Sequence, residues 1–174
     1  MILSGDEIKR QIEMGYISIS DFDESRLNPN SYNLRLSDEL LLYKCGTLDM
    51  AEDNPTERFT IPEDGFVLFP GRLYLASTME RTATDCFVPM LEGRSSVGRL
   101  GLFIHVTAGF GDIGFDGRWT LELTVVEPLI IYPGAEICQI YFHTVQGSTE
   151  RKYKRGKYSG ANEVQASRMW EEFR

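Results

Sequence analysis

Apolar residues follow a helical spacing near the N-terminus of the chain. Within residues 3–15, apolar side chains recur about one turn apart and mark one face of a short helix. Ser4 begins that segment and Glu7 follows three residues later, which is the spacing of an N-terminal capping box. The pattern therefore predicts one short helix before the rest of the domain.

Beyond that helix the pattern changes to the period of two that is typical of β-strands. Short alternating or apolar segments occupy residues 32–36, 66–69, 73–75, 119–123, 129–132 and 137–142. Turn signals, among them the Pro-Gly pairs at 70–71 and 133–134, end two of these segments. Many short strands between turns predict a mainly β domain of the sandwich, distorted jelly-roll or barrel type.

The length of 174 residues fits one domain, because a chain of that size can bury a core without disulfides. We assign residues 1–174 to that single domain and 147–174 to a polar C-terminal arm. The cysteines Cys45, Cys86 and Cys138 are odd in number and lie far apart. They predict free thiols and a cytoplasmic location.

Charge and composition narrow the classes of partner and of chemistry. The formal net charge of −8 argues against nucleic acid or an anionic membrane as the main partner, although a local basic cluster can still bind phosphate. Zinc-dependent nucleobase deaminases need an H-x-E and a P-C-x-x-C segment. The only histidines here are His105 and His143, and no two cysteines are close. The sequence therefore excludes that zinc site.

The segment 92–100 is the first candidate for a ligand site. It combines two hydroxyls and two guanidinium groups, from Arg94, Ser95, Ser96 and Arg99, around the predicted start of a helical turn. We predict that Val97 and Leu100 face inward. Free N–H groups at a helix start and planar arginine donors suit phosphate. An ordinary helix cap with solvated arginines is the alternative.

The glycine-rich loop 107–117 is the second candidate. Its four glycines free the backbone for close approach to a ligand, and Asp112 can hold a sugar hydroxyl or act as a base toward water. A tight turn with Asp112 as a turn residue is the alternative.

Glu122 is the third candidate, because a carboxylate is unusual in the middle of a strand. The alternation places Thr120 and Glu122 on one face and the apolar residues on the other. If the polar face lines a pocket, Glu122 is suited to general acid–base work. If it faces solvent, no function follows.

The fourth candidate is the segment 151–158 of the arm, where five cations are interleaved with tyrosines. Such a segment can fold over a triphosphate and stack on a base or sugar. A solubilising tail is the alternative.

Together the four segments resemble the dCTP deaminase family within the dUTPase-like superfamily, over nearly the whole chain. The core of the resemblance is G-R-S-S-x-x-R, then T-A-G-x-x-D-x-G-F-x-G, then T-L-E, spanning residues 93–122. It implies a dUTPase-like distorted jelly roll or β-barrel and a homotrimer with active sites at the interfaces. It also implies hydrolytic deamination of dCTP for dUMP supply, Mg²⁺ bound through the triphosphate, and dTTP as a feedback inhibitor.

The resemblance implies a role for each matching residue. Glu122 would be the catalytic proton shuttle, Ser95 and Arg99 would stabilise the tetrahedral arrangement, and the Ala108 carbonyl would orient the water. Asp112 would contact deoxyribose. The phosphates would be held by Arg94, Ser95, Ser96, Val97, Gly98 and Arg99, the base would be read by Thr120, Leu121 and Glu122, and Gln139, Tyr153 and Lys157 would serve the sugar and phosphates.

Several positions bear on which product such an enzyme releases. Gly109 and Phe110 resemble the bifunctional, dUMP-forming members, and Gly109 is expected to leave room for a second water. Ala161 stands where glutamine is common, and Gly111 and Ile113 replace an aliphatic residue and a proline.

Three other interpretations stay open at the level of the sequence. The enzyme can stop at dUTP. A plain dUTPase shares the G-R-S-S and A-G-x-x-D elements but does not need a carboxylate at position 122. A non-enzymatic nucleotide-binding regulator can use the same fold.

Overall fold

The computed structural model describes residues 1–153 and 156–174. The predicted basic segment of the arm includes Lys154 and Arg155, which lie outside the described residues.

The predicted N-terminal helix, α1, spans Gly5–Glu13. The Ser4 hydroxyl caps it by accepting a hydrogen bond from the Glu7 N–H at 3.2 Å. The Glu7 carboxylate does not return to Ser4 but accepts from Arg10 at 2.7 Å and from Gln11 at 2.6 Å. The helix and its cap are confirmed, whereas only half of the capping box forms.

Ten strands form the framework of the domain in the described part of the chain. In chain order they are β1 Ile17–Ile19, β2 Tyr32–Tyr43, β3 Thr56–Thr60, β4 Phe66–Leu68, β5 Tyr74–Thr84, β6 Val88–Gly93, β7 Leu102–Phe103, β8 Asp116–Val125, β9 Leu129–Ile131 and β10 Glu136–His143. A four-residue helix, α2, spans Ser95–Gly98, and short 3₁₀ turns cover Glu24–Arg26 and Met169–Phe173. The prediction of a mainly β domain is confirmed.

The strands pair antiparallel in one large and one small sheet. The eight-stranded sheet runs β6-β10-β2-β5-β8-β7, with β1 added to β5 and β3 added to β2, and β4 pairs with β9. Because β2 and β5 are long and central, they connect distant parts of the chain. The core between the strands is built from buried aliphatic and aromatic side chains.

Strand β8 alternates strictly between buried and partly buried residues. Trp119, Leu121 and Leu123 point into the core, as the sequence pattern predicts. Glu122 pairs with Leu75 of β5, and Thr120 pairs with Ser77. The pairing fixes which face of the strand carries the polar side chains.

The second half of β5 is missing from the sequence prediction, because its residues are mostly polar. Glu80 lies there with a fully buried side chain. It accepts hydrogen bonds from the Arg35 Nε at 2.6 Å, from the Arg35 N–H at 2.8 Å and from the Arg26 guanidinium. Two arginines from distant segments thus satisfy the carboxylate and allow a polar strand to run through the interior.

All three cysteines are free thiols, as predicted. Cys138 is fully buried in β10, and desolvation raises the pKa of its thiol. A higher thiol pKa lowers the fraction of reactive thiolate at neutral pH. Among the described residues there is no helix long and apolar enough to span a membrane.

Replacing Glu80 by glutamine is expected to destabilise the domain. The variant keeps the shape of the side chain but leaves the buried Arg26 guanidinium without its carboxylate. We expect the free energy of unfolding to fall by about 3–5 kcal/mol, measured by urea denaturation at fixed protein concentration. The matched control is Glu24→Gln, which removes the exposed ion pair with Lys9 and should leave the urea midpoint unchanged. Equal midpoints for both variants would contradict the role assigned to Glu80.

Candidate active site

A cavity of about 540 Å³ lies between the outer face of β8, the glycine-rich loop and the C-terminal arm. That volume is in the range of small-ligand pockets. Six of the residues predicted for the site line it together: Ala108, Phe110, Asp112, Thr120, Glu122 and Tyr153. The wall is completed by apolar and aromatic side chains, among them Leu75, Phe115 and Trp119.

Glu122 is held at the cavity by the backbone on either side of it. Its N–H donates to the Ile104 carbonyl at 3.0 Å, and its Oε2 accepts from the Val106 N–H at 2.9 Å. No hydrogen bond to its other carboxylate oxygen occurs within residues 1–153 and 156–174. The carboxylate is therefore oriented by one oxygen and offers the other to a ligand, which is the arrangement that proton transfer requires.

The first part of the glycine-rich loop is fixed against the edge of β6. The Gly109 carbonyl accepts from the Leu91 N–H at 2.8 Å, and the Gly111 N–H donates to the Pro89 carbonyl at 2.9 Å. Phe110 lies between these two contacts and is 66% exposed at the mouth of the cavity. The loop thus presents Ala108 and Phe110 to the cavity, while the backbone of Gly109 and Gly111 is bound to β6.

The two glycines are required by packing. A Cβ at Gly109 would lie 2.7 Å from the Leu91 carbonyl oxygen, and one at Gly111 would lie 2.3 Å from the Trp119 ring. The expectation that Gly109 provides room for water is therefore not supported by its environment, because that position points at β6. A side chain at 109 would move the loop instead of filling the cavity.

The described part of the arm folds along the outer face of β8. The Tyr153 N–H donates to the Ile113 carbonyl at 2.7 Å, and the Tyr153 ring lies 6.2 Å from that of Phe115. Farther along, the Gln165 N–H donates to the Thr120 hydroxyl at 3.2 Å. Lys157 pairs with Glu172 of the arm itself and does not line the cavity.

The predicted phosphate segment lies away from this cavity. Ser95, Ser96 and Arg99 are exposed on and beside α2, and α2 has no side-chain cap. Val97 packs partly against the core as predicted. Leu100 does not face inward: it is 60% exposed, because the chain turns outward after α2. A single chain therefore carries the carboxylate and the serine–arginine segment on separate surfaces.

Three further residues predicted for the site are engaged in the fold of the chain itself. Arg94 forms an ion pair with Glu136 at 3.1 Å. Gln139 contacts the Ser31 hydroxyl at 2.7 Å and donates to the Gly93 carbonyl at 3.1 Å. The Leu121 side chain is buried in the core, so only its backbone is available to a ligand.

Some residues of the cavity were not found by sequence reasoning. Val106 contributes its backbone N–H to the site. Because every residue except proline has that group, the residue type gives no signal for this role. Tyr158 belongs to the arm segment 151–158 that the sequence singled out, but the sequence assigned it no role of its own. Arg118 lies on the same strand face as Thr120 and Glu122, so the alternation along β8 indicated its face but not its place at the cavity.

The chain's own side chains do not form a metal site in the part that the structure describes. No group of three or more His, Cys, Asp or Glu side chains there is arranged to hold a metal ion. Glu92 and His105 approach to 3.8 Å, but no third ligand joins them among the described residues.

Comparison with known proteins gives the same family for nearly the whole chain. A family model described as dCTP deaminase-like matches residues 2–145. A protein of Hathewaya histolytica named "dCTP deaminase, dUMP-forming" is 57% identical over 173 residues, covering 99% of both chains. A protein of Clostridium botulinum with the same name is 58% identical over 173 residues, with the same coverage.

A solved structure supports the fold. The 2'-deoxycytidine 5'-triphosphate deaminase from Agrobacterium tumefaciens superimposes with a TM-score of 0.66 at 20% sequence identity. The match covers 83% of this chain but only 48% of that one, so this chain spans about half its length. The β-rich architecture, the match to the family model and the relatives similar over their full length lead to one conclusion: the chain belongs to the dCTP deaminase-like family.

Proposed function

We propose that this protein deaminates dCTP hydrolytically and continues to dUMP, the precursor for dTMP synthesis. The observation that carries the proposal is the Glu122 carboxylate, held by the Val106 N–H at 2.9 Å in a cavity of nucleotide size. The names of the most similar relatives support both the substrate and the product. We place the reaction in the cytoplasm, where free thiols persist.

The chemistry assigned to Glu122 is proton transfer. The carboxylate takes a proton from a water molecule, and the resulting hydroxide attacks C4 of cytosine. Glu122 delivers that proton to N3, and it then carries the proton of the new C4 hydroxyl to the amine, which leaves as the C4 carbonyl forms, so that dCTP and water give dUTP and ammonia. The Ala108 carbonyl lies at the same cavity and is suited to accept a hydrogen bond from that water. Thr120 and Asp112 line the same cavity, and we assign them to the base and to the deoxyribose respectively.

The triphosphate is assigned to Arg94, Ser95, Ser96 and Arg99, with the backbone of Val97 and Gly98. Of that set, Ser95, Ser96 and Arg99 are exposed and do not line the cavity that contains Glu122 of the same chain. They can serve the same substrate only if a neighbouring copy supplies them. We therefore propose a homotrimer whose active sites lie between subunits, in which Ser95 and Arg99 stabilise the transition state of the neighbour's reaction.

Exposed apolar side chains beside that segment support the assembly. Leu100, Phe103, Val106 and Val126 are 57–60% exposed. The Val126 N–H donates to the Gly101 carbonyl at 3.0 Å, and Phe103 pairs with Thr124, so three of these side chains lie in the segments next to α2. Exposed apolar side chains concentrated in one region are typical of a protein–protein contact.

Mg²⁺ and dTTP complete the proposal. Because the described residues provide no metal-binding cluster, Mg²⁺ is assigned to the phosphate oxygens of the substrate, which are the hard ligands it prefers. When bound there, it neutralises charge on the triphosphate. dTTP carries the same deoxyribose and triphosphate as dCTP, so we expect it to occupy the same cavity. Because it has no amino group at C4, it cannot be deaminated there and would act as a feedback inhibitor.

Glu122→Gln is expected to abolish ammonia release while nucleotide binding persists. Glutamine keeps the size of the side chain but cannot accept the proton, and a general acid–base group contributes about 10²–10⁴-fold in rate. Ammonia release from dCTP is measured together with dCTP binding by calorimetry. The matched control, Glu127→Gln, alters an exposed carboxylate outside the cavity and should keep full activity. Turnover above about a tenth of wild type in Glu122→Gln would remove Glu122 from this role.

The second prediction concerns the products. Purified protein with dCTP and Mg²⁺ is expected to release ammonia and pyrophosphate in equal amounts from the first turnovers, with dUMP as the nucleotide product. Chelating Mg²⁺ should stop both, and restoring it should return both. Ammonia without pyrophosphate would identify a deaminase that stops at dUTP, and pyrophosphate from dUTP without ammonia from dCTP would identify a dUTPase.

A further inference from the structure

Arg118 lies on the wall of the same cavity, and none of the roles assigned above uses it. It belongs to β8, two residues before Thr120 and four before Glu122, on the face that the strand turns toward the cavity. Its backbone N–H donates to the Ala161 carbonyl at 2.8 Å, which fixes the strand to the C-terminal arm at this point. The position of the residue is therefore well defined.

The carboxylates nearest to Arg118 along the strand are already engaged. Asp116 accepts from Arg81 through both oxygens, at 2.7 and 2.9 Å. Glu122 accepts from the Val106 N–H. The residue opposite Arg118 on β5 is Arg81, itself a cation. Within the described ranges, the Arg118 side chain forms neither an ion pair nor a hydrogen bond.

Two carboxylates outnumber one guanidinium among the described residues that line the cavity, so an anionic group of a ligand is favoured only beside Arg118. Among the described residues that line it, the ionised side chains are Asp112, Arg118 and Glu122, so Arg118 is their one cation. A partly buried guanidinium without a partner is unfavourable unless a ligand supplies the counter-charge. Guanidinium groups bind phosphate oxygens through two parallel hydrogen bonds.

The position along β8 indicates which part of the ligand Arg118 meets. Arg118 and Glu122 are four positions apart along the strand, which corresponds to roughly 13 Å. A pyrimidine nucleoside triphosphate carries its reactive C4 at one end and its terminal phosphates at the other. With C4 at Glu122, the base beside Thr120 and the deoxyribose beside Asp112, a triphosphate that continues along β8 would extend toward Arg118, Tyr158 and the arm.

We propose that Arg118 binds the outer phosphates of the nucleotide from the subunit that also supplies Glu122. This inference rests on the proposed function for the identity of the substrate, and it adds a phosphate contact that lies outside the serine–arginine segment. Arg118 thus makes the site select a triphosphate over a monophosphate.

The test compares nucleotides that differ only in phosphates. Affinities for dCTP and dCMP are measured by calorimetry in Glu122→Gln protein, which leaves the ligand intact, with and without Arg118→Met. Loss of a charge-assisted phosphate contact should weaken dCTP binding by at least about tenfold. The affinity for dCMP should change by less than about twofold, and its retention shows that the site is folded. Arg118→Lys keeps the charge but not the paired donors, so its affinity for dCTP should lie between those of the proteins with Arg118 and with Arg118→Met.

Arg72→Met removes an exposed arginine outside the cavity and should leave both affinities unchanged. Unchanged dCTP affinity in Arg118→Met, or equal weakening of dCTP and dCMP, would overturn the proposal. A wild-type protein that binds dCTP but releases no ammonia would instead refute the proposed function, and the comparison between the two nucleotides would still decide the role of Arg118.

Discussion

The register of β8 against β5 is the constraint on which the rest of the site depends. Burying Trp119, Leu121 and Leu123 on one face contributes about 1.5–3 kcal/mol for each side chain and leaves Arg118, Thr120 and Glu122 on the other. A slip of one residue would exchange the two faces and place Glu122 in the core. The same apolar packing that stabilises the barrel therefore also aims the carboxylate at the cavity.

The buried Glu80 lies at the irregular part of that pairing. The ladder between β5 and β8 shifts between Ser77 and Arg81, and the ladder between β2 and β5 shifts between Leu36 and Leu40. Such bulges bend a strand and end regular pairing. Because Arg26 and Arg35 anchor the Glu80 carboxylate at this point, the two long strands keep one arrangement. The polar network thus supports the register that the apolar face selects.

The sequence predicted those elements whose structure depends mainly on residues close together in the chain. The α1 helix follows from its spacing and its Ser4 cap, and the two faces of β8 follow from alternation. The second half of β5 could not be predicted, because its buried Glu80 is satisfied only by arginines from distant segments. The inward orientation predicted for Leu100 was wrong because the short α2 ends before that residue and the chain turns outward. The packing reason for Gly109 depends on β6, which the loop's own sequence does not reveal.

Within the candidate site, residue chemistry was predictable and spatial grouping was not. Glu122 and Asp112 stand out because carboxylates are unusual in a strand or a glycine-rich loop. A lone arginine on a strand face is usually solvated, so Arg118 gained meaning only when the structure placed it at the cavity without a partner. The separation of Ser95 and Arg99 from Glu122 required the folded chain. That separation is the basis for assigning each active site to two subunits.

Subunit complementation tests this division of the site most directly. Glu122→Gln and Arg99→Ala protein are each expected to be inactive in dCTP deamination. When the two are unfolded together and refolded in equal amounts, sites that combine Glu122 from one copy with Arg99 from its neighbour are restored. Random mixing predicts about a quarter of wild-type activity, because half of the copies supply each native residue. Mixed protein that refolds to the same assembly as wild type but remains inactive would contradict a site shared between subunits.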